Sequence, residues 1–377
     1  MNNRLQKQRG VALIVVMMVV ALVVIIASSM GSRLQLQLQR QLNIQQRQQM
    51  LYLALGAEEF GRRTLQKSLQ GKDTVNLGQP WAQEGATFPI EQATLTGRIT
   101  DLQACFNLNS LRPARKPNED GAAGDADQER SANGQNQNGE TVQASGEGSS
   151  KDASTPPQPE VPAAPGGPAA KQTPAQKALQ RLLEQSATDL SIPADYVVAR
   201  IADWIDADND LQQSGGAEEN DYAALPHPYY TANSFMVNKS ELRTILDLTP
   251  GDYQLIAPLV CVIPGEGALK INVNTLKEEQ ASLIAGLVPG VDEETAKKAL
   301  SARPSSGYDS VDAFFGELGG NAGSDAAIKT LFDVKSSYFQ AEFTLETEDS
   351  SFVLTTIYKL DQNANPIVVS RRFGGSG

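Results

Sequence analysis

The sequence predicts an α+β fold, in which a long amino-terminal helix packs on an antiparallel sheet and a large all-helical domain is inserted into that sheet. Three observations predict it. An uncharged apolar run behind a basic leader continues into a Pro-free stretch of helix formers; β-patterned segments stand at two places more than two hundred residues apart; and the intervening sequence turns first to low complexity, then to helical periodicity.

The amino-terminal run "VALIVVMMVVALVVIIASSM" is long enough, at about 1.5 Å per residue, to cross a hydrocarbon core of about 30 Å. Arg4, Lys7 and Arg9 stand directly before it, so that end is expected to stay cytoplasmic and the bulk of the chain to be exported, anchored by a single pass over 11–31. A secretory cleavage motif after the run is poorly formed in "IIASSMGS". The stretch that follows, 32–70, is rich in helix formers and contains only two Gly, which predicts one helix from about 11 to 70. Leu34, Leu38, Leu42, Met50 and Leu53 approximate a stripe for a sheet or for neighbouring subunits.

Strand patterns follow in "ATFPIEQA" and "LTGRITDLQACFNLN", within a first part of the sheet domain at 71–112. They recur at 333–377 in "SSYFQAEFTLETED", "SFVLTTIYKLD" and "PIVVSRRF", the first two forming a hairpin that turns at 348–350. Residues 113–173 are crowded with Pro, Gly, Ala, Gln and Asn, a composition that cannot bury enough apolar surface to offset chain entropy, so a disordered loop is expected. From 174 to 332, segments such as "AQKALQRLLEQSA", "PADYVVARIADWIDAD" and "DEETAKKALSAR" predict the inserted helical domain.

Composition excludes several functions. A net charge of −12 argues against a general affinity for nucleic acid or anionic lipid. A single His, His227 in "LPHPYY", leaves little material for His-based triads or zinc sites, and neither a P-loop nor a G-x-S-x-G elbow occurs, so no catalysis is expected. His227 is expected to pack beside Tyr229 and Tyr230. Cys105 and Cys261 lie in the exported part, each near an "N-x-N" stretch, and are expected to form a disulfide; the alternative is two buried thiols.

Two internal stretches carry candidate chemistry. "DWIDADNDLQQSGGAEENDY" holds Asp203, Asp206, Asp208, Asp210, Glu218, Glu219 and Asp221 with no Lys or Arg. Concentrated carboxylates repel unless a cation neutralises them; calcium, which takes 6–8 oxygens in flexible geometry, suits such a set, and Gly215-Gly216 permits a tight loop. The spacing is not that of an EF-hand, and a solvated acidic loop is the alternative. The second stretch, "INVNTLKEEQASLIAGLVPGVDEETAKKALSARP", is similar to a helix-hairpin-helix module of the kind that grips DNA, which would make a DNA-uptake pilin the rival function. Asp292, Glu293 and Glu294 follow its Pro289-Gly290 turn, where phosphate would have to approach, so a protein scaffold is expected instead.

Gly10 stands between the leader charges and the apolar run, and "RGVALIVVMMVVALVV" resembles the start of type IV pilin-like proteins. The resemblance implies that a prepilin peptidase cuts after Gly10 and leaves Val11 first. Most pilins carry Glu at the fifth mature position, where it meets the amine of the subunit assembled before it; here that position is Val15, which fits a filament's first subunit. Taken in order, this leader, "DLQACFNLNSL", "IADWIDAD" with "GGAEENDY", "NKSELRTI", and "INVNTL" followed by "SARPSSGYDSVDAFF" resemble the type II secretion minor pseudopilin K family over nearly all of the chain outside the low-complexity loop. That resemblance implies a structural subunit at the pseudopilus tip, anchored in the bacterial inner membrane with its bulk in the periplasm. It implies minor pseudopilins I, J and H and the major pseudopilin G as partners, and calcium held in the helical domain by a subset of the acidic residues, Asp206, Asp208, Glu218 and Asp221 leading, with Asp203 and Glu219.

Overall fold

The structure is a computed structural model, which describes residues 8–83, 85–90, 93–112, 172–320, 322–323, 325–348 and 350–374. Nearly all of the expected disordered loop, 113–171, lies outside the described residues.

Helix α1, Gln8–Leu69, runs unbroken through the apolar run and the Gln-rich stretch, and includes both Gly10 and Val11, the two sides of the expected cut. It is long and apolar enough to cross a membrane. Its two halves differ in what they touch. Large apolar side chains from Leu13 to Ile44, among them Leu34, Leu38 and Leu42, are exposed, whereas Met50 is buried and Leu53 packs on the core that Ala54, Ala57, Leu65 and Leu69 form with the sheet. Gly61 lets the helix approach that sheet closely, since a Cβ there would lie 2.7 Å from the Phe343 ring. Buried Glu58 fixes the rotation of the helix by accepting two hydrogen bonds of 2.7 Å from the Arg371 guanidinium and one of 2.8 Å from the Thr356 hydroxyl.

Strands β1 (Ala86–Ile90) and β2 (Ala93–Asp101) come next. Four two-residue strands follow, β3 (Phe106–Asn107), β4 (Val260–Cys261), β5 (Ile271–Asn272) and β6 (Phe332–Asp333), and then β7 (Tyr338–Glu346), β8 (Ser351–Leu360) and β9 (Pro366–Phe373). The main sheet is antiparallel in the order β1-β2-β7-β8-β9, so β2 and β7 lie side by side although the whole helical part separates them in sequence. The β7–β8 hairpin closes where the pattern predicted, with the Thr347 amide donating to the Ser350 carbonyl.

The part between β2 and β7 is built on α2 (Pro174–Ser186), α3 (Ala194–Ile205), α4 (Glu219–Ala223), α5 (Pro250–Ile256), α6 (Ala281–Leu287), α7 (Glu293–Ser301), α8 (Val311–Leu318) and α9 (Ala326–Lys329). Capping boxes start α2 at Thr173 and α5 at Thr249, each with Pro in the first turn, where a missing N–H costs nothing. The segment "NKSELRTIL" forms a 3-10 turn over Lys239–Thr244. Leu179, Leu182, Val197, Ile201, Tyr222, Ile284 and Phe314 lie in one continuous apolar core.

The short strands sew this helical part to the rest. Strand β3 pairs in parallel with β4, and there Cys105 and Cys261 are joined with their Cα atoms 5.9 Å apart. The Asn residues of both "N-x-N" stretches are buried staples. Asn109 accepts from the Met236 amide at 2.8 Å and donates to the Met236 and Ile263 carbonyls at 2.9 Å, while Asn274 exchanges two hydrogen bonds with the Tyr308 backbone. At the joint itself, Asp101 accepts from the Thr275 hydroxyl at 2.6 Å, the Gln103 amide at 2.8 Å, the Asn272 side-chain amide at 3.4 Å and the Ser336 hydroxyl. Burial pushes its carboxyl up to about 6 against the pull of those donors. The helical part also grips the chain just beyond α1: Asn272 donates to the Val75 carbonyl at 3.0 Å and Asn76 to the Ser306 carbonyl at 2.7 Å. It is therefore held at the end of α1 opposite the apolar stretch.

Candidate metal centre

Helix α3 buries Val197, Val198, Ile201, Ala202 and Ile205, and this packing turns Asp203, one position past Ala202, fully inward. Asp206 ends the helix, its amide donating to the Ala202 carbonyl at 3.0 Å. The chain then swings out through 207–211 and returns, with the Gln212 amide donating to Asp203 Oδ1 at 3.1 Å and the Ala217 amide to Asp203 Oδ2 at 3.0 Å. The return is tight. Gly215 has φ +87°, and a Cβ on it would meet the Tyr196 ring at 2.3 Å, while a Cβ on Gly216 would lie 2.0 Å from Asp203 Oδ2. Arg200, one turn before Asp203, secures the loop from the other side by donating to the Gly215 carbonyl at 3.1 Å.

This loop delivers Glu218, at the start of α4, to the two aspartates. One carboxylate oxygen from each of Asp203, Asp206 and Glu218 lies within 4.8 Å of those of the other two, and all three residues are buried. Asp206 Oδ2 accepts from the Gln212 side chain at 3.0 Å, but Asp206 Oδ1 and both oxygens of Glu218 are buried without a well-formed hydrogen bond among the described residues. No Lys or Arg reaches the three by hydrogen bond or ion pair among the described residues. Burial, reinforced by mutual repulsion and by Asp208, raises Asp203 to about 7, Asp206 to about 6 and Glu218 to about 8. Three clustered buried carboxylates, three of whose oxygens lack donors among the described residues, form an all-oxygen set that fits a hard cation: it would supply the neutralising charge and the missing partner at once.

The remaining acidic candidates sit around this trio. Asp221 Oδ2 accepts from the Glu218 amide at 3.0 Å, Asp208 Oδ1 from the Asp210 amide at 2.9 Å, and Glu219 from the Asn209 side chain at 3.3 Å. His227 is exposed, and so is Tyr229, whose ring nonetheless lies 5.3 Å from that of the buried Tyr222 and 6.4 Å from that of Trp204. In the helix-hairpin-helix-like stretch, Asp292 caps α7 by accepting from the Thr295 amide at 2.7 Å, and Glu293 and Glu294 fill its first turn. That turn presents carboxylates outward, the wrong sign for a phosphate backbone.

Comparison with known proteins gives one consistent outcome. Models of the family described as "Type II secretion system (T2SS), protein K" match residues 104–265 and 271–335. Type II secretion system protein K of Aeromonas hydrophila is 33% identical over 98% of both chains, and that of Pectobacterium carotovorum is 30% identical over 98% of this chain and 97% of its own. A chain in the crystal structure of the GspK-GspI-GspJ complex from enterotoxigenic Escherichia coli superposes with a TM-score of 0.65 at 25% identity, covering 89% of this chain and 100% of that one. With a membrane-length helix, a pilin-like sheet and a helical part inserted between β2 and β7, the chain belongs to the type II secretion system protein K family and is a minor pseudopilin.

Proposed function

We propose that this pseudopilin is the tip subunit of its pseudopilus, initiating and capping the filament and supporting export of folded proteins across the outer membrane. The observation that carries the reading is the position of the helical part. It is fastened to Val75 and Asn76, just past the far end of α1, where a further subunit stacked above would collide with it. Val15, in place of the Glu that would meet a predecessor's amine, supports the same position.

In this reading a prepilin peptidase cuts between Gly10 and Val11, α1 then lies in the inner membrane with its amino end cytoplasmic, and the bulk of the chain is periplasmic. Minor pseudopilins I and J are its immediate partners, as in the complex from enterotoxigenic E. coli, with H and the major pseudopilin G below. The ion is calcium, held by Asp203, Asp206 and Glu218; it would neutralise their charge and lock the 206–218 loop onto α3. The subunit acts as a structural part and not as a catalyst.

Site-specific crosslinking in assembled pseudopili tests the position, with probes on the helical part and on α1. Contacts on the lower side alone, chiefly to minor pseudopilins, are expected; crosslinks to the major pseudopilin both above and below this subunit would overturn the tip assignment.

A further inference from the structure

In a chain of net charge −12, one face of the helical part gathers cations that form no ion pair among the described residues. Lys177 and Arg181 stand four residues apart on α2, a spacing that places like charges side by side on a helix and is unfavourable unless an anion lies between them. Both line a hollow of about 470 Å³ between α2 and α9, with Ile328 and Leu331 supplying apolar wall. Arg181 Nη2 donates to the Leu287 carbonyl at 3.3 Å, but its Nε–H is buried without an acceptor. Lys177 is exposed and its ammonium makes no hydrogen bond or ion pair among the described residues. Asp325 on the far wall does not serve as their counter-ion: its Oδ1 accepts from the Ala327 amide at 2.8 Å and it pairs with neither cation.

A second hollow of about 350 Å³ shares Pro174, Ala327 and Leu331 with the first and ends at Lys270, whose Nζ donates to the Thr330 carbonyl at 2.6 Å. Together they form a groove with cations at both ends and aliphatic side chains between. A donor left unpaired in a buried position is costly, and a carboxylate is the acceptor that satisfies a guanidinium N–H and an ammonium together. A phosphate polymer is a poor occupant, because it needs a continuous run of cations, whereas Lys177, Arg181 and Lys270 are the cations that line these two hollows, Asp325 stands on the wall and the chain as a whole carries −12.

We propose that this groove binds an extended acidic segment of a second polypeptide, one carboxylate seated between Lys177 and Arg181, apolar side chains on Ile328 and Leu331, and a further carboxylate toward Lys270. The inference does not depend on the metal centre or on the tip position.

The test uses the full chain in nanodiscs and a fluorescein-labelled hexapeptide of alternating Glu and Leu, read by polarisation, with the Lys-Leu analogue as background. Saturable binding is expected, weakened at least tenfold by Lys177→Glu with Arg181→Gln and at least threefold by the exposed Lys177→Glu alone. Lys298→Glu on α7 serves as the remote charge control and is expected to leave affinity unchanged. Absence of saturable binding, or an equal loss with Lys298→Glu, would overturn the proposal. So would binding that appears only after 113–171 is deleted, which would assign the groove to this chain's own acidic segment.

Discussion

Asp101 and Glu218 are both buried carboxylates, 8% and 4% exposed, and they live in opposite ways. Asp101 is surrounded by neutral donors from Gln103, Asn272, Thr275 and Ser336, so its charge is spread over hydrogen bonds that tie β2, the β5 turn and the entry to β7 together. Both oxygens of Glu218 lack a well-formed hydrogen bond among the described residues and face two further carboxylates. A carboxylate satisfied from within builds structure, whereas one left unsatisfied among its own kind implies a partner from outside.

The sharpest way to break this contrast is to remove Asp101. Asp101→Ala takes the acceptor from the Ser336 hydroxyl and the Gln103 amide and leaves Thr275 only the Asn272 carbonyl at 3.2 Å, while Asn272 keeps the Val75 carbonyl; at about 1–3 kcal/mol for each donor left buried and unpaired, a loss of roughly 3 kcal/mol is expected. The melting temperature should fall by the same amount in calcium and in chelator. A drop confined to calcium would mean that the joint and the metal centre are one site.

Glu218→Gln should do the reverse. Calcium at about 100 times its Kd stabilises the parent by about 2.7 kcal/mol, and the variant should lose nearly all of that gain. In chelator it should melt no lower than the parent, because the amide relieves repulsion from Asp203 and Asp206. Calorimetric melts of both proteins in both buffers decide this. If the variant in chelator were as damaged as Asp101→Ala, Glu218 would be a structural carboxylate after all.

The two sites also respond differently to pH when calcium is present. Asp203, Asp206 and Glu218 are raised to about 7, 6 and 8, well above the ordinary carboxylate range near 4. Without metal, the folded state thus keeps protons that the unfolded chain has released, and the stability present below about pH 4 is lost as pH rises through 6 to 8. A cation binds the deprotonated forms, so its stabilisation grows over the same window. The gap between melts in calcium and in chelator should therefore widen steadily from pH 5 to pH 8. Asp101 also loses its contribution as pH rises through about 6, but it does so in both buffers and drops out of the difference.

These two sites were not equally legible in the sequence. The long helix, the strand patterns and the hairpin at 348–350 follow from local periodicity and turn chemistry, and so could be read directly. The acidic cluster was visible as seven carboxylates within twenty residues without a cation. Which oxygens converge was not, because it depends on α3 turning Asp203 inward and on Gly215-Gly216 folding Glu218 back. Asp101 gave no signal at all: it sits in "RITDLQACF", which reads as plain strand, and its partners Asn272, Thr275 and Ser336 are 171, 174 and 235 residues away. The Glu58–Arg371 pair, 313 residues apart, was hidden for the same reason. Low complexity across 113–171 separates the halves of the domain, so no local pattern spans the contact.

The smallest predicted effect probes how the metal centre, and not the joint, depends on backbone approach. At Gly216 a Cβ would lie 2.0 Å from Asp203 Oδ2, the oxygen that accepts from the Ala217 amide. In Gly216→Ala either the loop backs away from α3, withdrawing Glu218, or the Asp203 carboxylate rotates and gives up that hydrogen bond. Both outcomes spread the three carboxylates, and neither touches Asp101. Opening that approach to an ordinary contact takes a shift of about 1 Å or more, shared between the loop and the Asp203 carboxylate, and should cost about 1–2 kcal/mol of binding, which is roughly a tenfold weaker calcium affinity by titration calorimetry. In chelator the change should be smaller than for Asp101→Ala, because no buried donor loses its acceptor except the Ala217 amide. Excitation of Trp204, adjacent to Asp203, with terbium in place of calcium offers a second reading: sensitised emission should persist in Gly216→Ala at higher terbium and vanish in Glu218→Gln. Parental affinity in Gly216→Ala would show that the ion does not need Asp203 where the structure places it, and would move the centre outward toward Asp208 and Asp221.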